Sequence, residues 1–121
     1  MCGIAGLFAR DPGASIDLPV LTHMRDAMRH RGPDGAGIWS DDGVALAHRR
    51  LSVIDVEGSP QPMHSGDGRA VITFNGEIYN YRELRCELAA LGHRFVTEGD
   101  TEVILAAWRE WGADCLTRFN G

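Results

Sequence analysis

Met1-Cys2-Gly3-Ile4-Ala5-Gly6-Leu7-Phe8 (residues 1–8) is the stretch on which the reading of this 121-residue chain turns. From Cys2 to Ala9 every residue is apolar or glycine, and Asp11-Pro12-Gly13 then breaks the run. A short continuous apolar run closed by such a turn reads as a buried strand. At its head sits a cysteine that becomes the N-terminal residue once Met1 is removed, a removal that small second residues permit. A thiol ionises near pH ~8.5 and needs a base to attack as thiolate. A free α-amine, with a pKa of about 7.7–8.0, can be that base, so one residue can supply both nucleophile and base. While Met1 is in place the same nitrogen is an amide and no base. By position alone Cys2 remains either such a nucleophile or an apolar cysteine packed into a strand.

Outward from this strand, Asp17 is placed to cap a helix to about Arg29, with Pro19 in the first turn and Val20, Leu21, Met24, Ala27 and Met28 sharing a face. Gly32, Pro33 and Gly35 in HRGPDGAG (30–37) stop that helix. Residues 37–40 and 44–51 flank Asp41-Asp42-Gly43, a hairpin signal. Residues 53–68 read as loop, 70–74 as a strand, and Asn80 with Glu83 as a cap-and-return pair for a helix closed by Gly92. Residues 94–97 read as a short strand. Asp100 then caps a helix to Trp111, with Val103, Ile104, Ala107, Trp108 and Trp111 on one face and Gly112 after it. No closing helix or strand is expected beyond. Hairpin-joined strands with helices packed outside make an α+β domain of antiparallel sheets, interrupted at its C-terminal side.

Composition narrows the chemistry. A net charge of −5 removes the basic footprint of a nucleic-acid binder. All 12 basic residues are arginine, so neither Schiff-base chemistry nor a phosphate-loop lysine is available. Three dispersed cysteines (2, 86 and 115) imply no disulfide framework and suit a reducing cytoplasm. No metal-ligand spacing occurs, and the first apolar run is too short for a signal peptide or membrane helix.

Asn75-Gly76-Glu77 lies where a strand turns toward a helix. The Asn75 amide and Gly76 N–H suit an oxyanion, and an ordinary Asn-Gly turn fits equally well. Arg50 can clamp an α-carboxylate and Asp100 can receive an α-ammonium; a surface arginine and a helix cap fit as well. His23, His30, His48, His64 and His93 read as structural. The HRGPDG loop either covers a substrate or only connects elements.

Taken together and in order, MCGIAGLF, RHRGPDG, HRRLSVID, QPM, FNGEIYNYRELR and EGDTEVIL resemble the class II glutamine amidotransferases, and among them the glutaminase domain of glutamine-hydrolysing asparagine synthetases. The resemblance spans residues 2–121. It implies an N-terminal nucleophile hydrolase fold, an αββα sandwich of antiparallel sheets. It implies that Cys2 attacks the glutamine side-chain amide, releasing ammonia through a γ-glutamyl thioester, with Asn75 and Gly76 as the oxyanion hole. It implies that Arg50 and Asp100 bind the two ends of glutamine, and that Leu51, Ser52, Val53, Ile54 and Glu77 line the same pocket. Residues 1–121 then form an incomplete glutaminase domain without cofactor. ATP and magnesium belong to a C-terminal synthetase domain absent here. That domain and free glutamine are the expected partners, with a homodimer left open and neither nucleic acid nor membrane involved. Two alternatives stand beside it: the same chemistry serving a sugar or cell-surface polysaccharide acceptor, and a non-catalytic amino-acid-binding fragment.

Overall fold

The hairpin signal materialises as the centre of a three-stranded antiparallel sheet. The computed structural model describes residues 1–11, 13–52 and 58–121. They divide into two units. The first comprises Met1–Ser52, Pro60–Pro62 and Thr73–Asn75; the second comprises 58–59, Met63–Ile72 and Gly76–Gly121.

In the first unit β1 (Gly3–Phe8) and β2 (Gly35–Asp41) flank β3 (Val44–Arg50), and both pairings are antiparallel. The β2–β3 turn forms because the Asp41 carboxylate takes the Asp42 N–H at 2.8 Å and Gly43 adopts φ 71°. Helix α1 (Leu18–Ala27) starts where expected, the Asp17 Oδ1 accepting the Val20 N–H at 3.0 Å. It ends two residues before Arg29, because the Met28 and Arg29 N–H groups fold back as turn bonds to Arg25 and Asp26.

One sheet face packs on α1. Leu21, Ala45 and Ala47 are fully buried, with Ala5, Leu7, Ile16 and Ile38 against them. Burying Leu21 alone is worth roughly 1.5–3 kcal/mol. The other face is more open, with Ile4 47% and Phe8 77% exposed. The strand read as buried is therefore buried on one side only, following the period-two alternation of its side chains. Val20 and Met24 of α1 are likewise exposed.

In the second unit β4 (Met63–His64) pairs antiparallel with β5 (Val71–Ile72). A strand thus occurs inside the segment expected to be loop, part of which (53–57) lies outside the described residues. The strand expected over 70–74 shrinks to two residues. Beyond it the Phe74 N–H goes to the Gln61 side chain and not to a ladder. Helix α2 (Tyr81–Ala90) closes at Gly92, φ 100°, as expected. Its expected cap does not form. The Asn80 side chain instead donates its Nδ2 to the Arg118 carbonyl and accepts the Asn120 N–H at its Oδ1, both at 2.9 Å. Residues 94–97 are not a strand, because the Val96 and Thr97 N–H groups are occupied by the Glu102 carboxylate.

Helix α3 (Asp100–Trp111) packs on α2 and ends at Gly112, φ 56°. Gly99, not Asp100, is its cap. Its buried apolar residues are Val103, Leu105 and Ala107, whereas Trp108 is exposed and, with Ile104, borders a small apolar groove beside Val71 and Ile72. A 3₁₀ helix over Gly112–Arg118, unforeseen in the sequence, follows; Arg118 stacks 3.9 Å from the Trp111 ring centroid. No described helix is long and apolar enough to cross a membrane. The described strands are all antiparallel, as expected.

Candidate active site

Cys2 lies one residue outside the ladder, since Gly3 is the first β1 residue and pairs with Arg49. The register carries its side chain to the end of β3. There the Leu51 N–H donates to Sγ at 3.3 Å, and the thiol reaches the Leu51 carbonyl at 3.6 Å. Both groups belong to one main-chain residue, so the sulfur is held by backbone. Cys2 is half-buried and in no disulfide.

The loop between α1 and β2 grips the same strand end. The Arg31 Nε donates to the Cys2 carbonyl at 3.1 Å. The Asp34 N–H donates to the Arg50 carbonyl at 3.0 Å, and the Asp34 Oδ2 accepts the Ser52 N–H at 2.9 Å. Gly32 has to be glycine here, because a Cβ would collide with the Arg49 carbonyl and the Arg50 nitrogen. Gly3 leaves room for Met28 in the same way. The loop whose sequence left two readings open therefore braces the backbone of Cys2, Arg50 and Ser52.

Arg50 is half-buried at the end of β3, opposite Gly35. Its neighbour Arg49 points elsewhere, to the Asp26 carboxylate at 2.7 Å. Two residues back, His48 is buried and its Nδ1 lies 2.9 Å from the Thr73 Oγ1. Burial, reinforced by the Arg50 charge, pushes its pKa down to about 4, so the ring is neutral near pH 7. Asn75, two residues beyond Thr73, ends the first unit and is exposed.

Gly76, Glu77 and Asp100 belong to the second unit. Gly76 is exposed and Glu77 half-buried. Asp100 is 6% exposed, and its Oδ2 accepts the Ile78 N–H at 2.9 Å. Its carboxylate thus fixes the backbone just after Glu77, with Oδ1 within 3.5 Å of the Thr101 hydroxyl. Val53 and Ile54 lie outside the described residues. Among the described residues no group of three or more His, Cys, Asp or Glu side chains is disposed to hold a metal ion.

The structure therefore brings together Cys2, Leu51 and the Arg50–Ser52 backbone in one unit, and Glu77, Ile78 and Asp100 in the other. Reading the residues alone missed Arg31, Asp34, Gln61 and Thr73. Only Gly32, in a loop that must pass close to another backbone, carried a signal.

A family model described as a glutamine amidotransferase domain matches residues 1–121. The chain is 43% identical over 123 residues to asparagine synthetase [glutamine-hydrolyzing] 1 of Bacillus subtilis, covering all of this chain and 20% of that protein. It is 40% identical to asparagine synthetase [glutamine-hydrolyzing] 3 of the same organism and 40% identical to asparagine synthetase B [glutamine-hydrolyzing] of Escherichia coli, again over its whole length and over 20% and 22% of those proteins. The chain spans about a fifth of the length of these curated relatives.

Proposed function

We propose, since this chain belongs to the glutamine amidotransferase domain family, that it hydrolyses the side-chain amide of glutamine at Cys2 and supplies the ammonia to aspartate activated in a C-terminal synthetase domain. The observation that carries the reading is the Cys2 thiol held between the N–H and carbonyl of Leu51. The relatives' names favour aspartate over a sugar or polysaccharide acceptor.

Once Met1 is removed, the Cys2 α-amine takes the thiol proton and the sulfur attacks the amide carbon. The Leu51 N–H steadies the thiolate before attack. Asn75 and Gly76 donate to the oxygen that becomes negative, in the region where such donors matter most. The tetrahedral adduct collapses; the leaving nitrogen takes the proton from the α-ammonium and departs as ammonia. Water then attacks the γ-glutamyl thioester, giving glutamate and restoring the thiol. Arg50 receives the substrate α-carboxylate and Asp100 its α-ammonium, while Leu51, Ser52, Val53, Ile54 and Glu77 line the pocket. ATP and magnesium are assigned to the synthetase domain and no residue here to either.

The open sheet face with Ile4 and Phe8 supports a second layer, as in an αββα sandwich of which residues 1–121 form part. Three free cysteines support a cytoplasmic setting.

In the full-length protein, Cys2→Ala is expected to lower glutamine hydrolysis by at least about 10³-fold while ammonia-dependent synthesis continues. Hydrolysis surviving that substitution rules the reading out. Mass spectrometry of the active protein should show Met1 removed; its retention removes the α-amine from the mechanism.

A further inference from the structure

His48 has two features that a packing residue lacks. It is buried at 1% exposure, yet its Nε2 has no hydrogen-bond partner among the described residues. An unpaired buried polar atom is destabilising, and a leucine or phenylalanine in the same place would avoid it. Its other nitrogen, Nδ1, is bonded to Thr73, 25 residues away in sequence and outside any strand.

The backbone around His48 is fixed from both sides. It pairs with Ile4 on β1 and Gly37 on β2, in the middle of the sheet. Gly37 in turn lies so close to the Gln61 carbonyl that a Cβ would collide with it. The Gln61 side chain then accepts the Phe74 N–H at 2.6 Å. Thr73 and Phe74 are thus tied to the sheet by two side chains, His48 and Gln61, and the next residue is Asn75. The same strand ends at Arg50, two residues beyond His48, and the residue after it is Leu51, which holds the Cys2 sulfur. The β3 strand and the residue that follows it therefore contact both the nucleophile and the segment leading to Asn75.

We propose that His48 is a positioning residue for the hydrolysis: through its bond to Thr73 it fixes the 73–75 segment so that the Asn75 amide meets the oxyanion formed at Cys2. The inference rests on the glutaminase reading. A neutral imidazole suits this task, because it holds a hydroxyl without placing a second cation beside Arg50. The bond acts on the alignment of a donor that matters in the transition state, so its loss falls on kcat and not on glutamine affinity.

The test uses the full-length protein, with Thr73→Val, Thr73→Ser and His48→Asn, each alone and combined with Asn75→Ala. Thr73→Val is close to isosteric and exchanges the hydroxyl for a methyl, which cannot bond the His48 Nδ1. It is expected to lower kcat for glutamine hydrolysis about 10- to 100-fold with KM changed less than about twofold. Thr73→Ser restores most of kcat, and alkylation of Cys2 by iodoacetamide keeps its wild-type rate in every variant. In the Asn75→Ala background, Thr73→Val and His48→Asn should have no further effect. A kcat unaffected by Thr73→Val, or lowered equally with and without Asn75, overturns the inference while leaving a Cys2-dependent glutaminase standing. A wild-type protein that does not hydrolyse glutamine overturns both.

Discussion

Cys2 in the first unit and Asp100 in the second are secured in different ways. On the Cys2 sulfur the fixing groups are main chain, the Leu51 N–H and carbonyl, and two ladders set the register of β3 behind them. Close backbone approach is possible there because Gly32 and Gly37 have no side chain. Around Asp100 the fixing groups are carboxylates: Asp100 takes the Ile78 N–H, and Glu102 takes those of Val96 and Thr97 together with the Thr97 hydroxyl. The first arrangement fails by steric collision and the second by loss of an acceptor. Substitutions can therefore be chosen that damage one unit and spare the other.

The largest effect is expected from added volume at the sheet. Gly37→Ala places a Cβ inside the Gln61 carbonyl, and Gly32→Ala places one against the Arg49 and Arg50 backbone. Neither neighbour is the flexible end of a side chain, so each substitution should cost about 3–5 kcal/mol. Gly66→Ala in the second unit meets nothing within 4 Å and should stay within about 0.5 kcal/mol of wild type. Urea unfolding midpoints compare the three. Equal midpoints for Gly37→Ala and Gly66→Ala would remove the steric half of the contrast.

Acid offers a second way to separate the units. His48 protonates at about 4 in the folded protein and at 6.5 when unfolded. Between those values the unfolded chain binds the extra proton, so stability falls as pH drops from about 6.5 and levels off below about 4. The loss attached to this ring is about 3 kcal/mol. Wild type should therefore lose about that much more stability than His48→Asn between pH 7 and pH 4, measured by urea unfolding at each pH. Parallel losses in the two proteins would mean that the ring does not carry the acid sensitivity.

Legibility in the sequence follows the same division. The β2–β3 hairpin, the Asp17 cap and the Gly92 and Gly112 stops were readable because each is written in consecutive residues with local chemistry. What escaped reading is non-local. Asn80 was expected to cap its own helix but reaches Arg118 and Asn120. The residues 94–97 were expected to form a strand, but a glutamate on the following helix claims their N–H groups. At the site, Cys2 and Arg50 stood out because their chemistry is visible in a single letter. Arg31, Thr73 and Gln61 did not, since an arginine bonding a carbonyl or a threonine meeting a buried ring leaves no local pattern. Asp100 was singled out for substrate and also as a cap, and the structure gives its carboxylate a third task at Ile78.

That third task sets the smallest and most discriminating prediction. Alanine at Asp100 removes the acceptor of the buried Ile78 N–H, and alanine at Glu102 that of the half-buried Thr97 N–H; each should cost about 1–3 kcal/mol in urea unfolding. Asp100→Asn and Glu102→Gln keep an acceptor oxygen in the same place and should cost less than about 1 kcal/mol. The amide variants then separate structure from function within the second unit. Asp100→Asn still holds Ile78 but no longer offers a charge to an α-ammonium. With charge-assisted bonds worth about 1.5–3 kcal/mol, glutamine KM should rise at least about tenfold in the full-length protein. Glu102→Gln should leave KM unchanged, because among the described residues its carboxylate meets residues 96 and 97 and the neighbouring Arg85. An unchanged KM in Asp100→Asn would leave the residue with its backbone role alone and move the ammonium site elsewhere, whereas a KM raised equally in both variants would show that the charge acts through the fold of the second unit and not at the substrate.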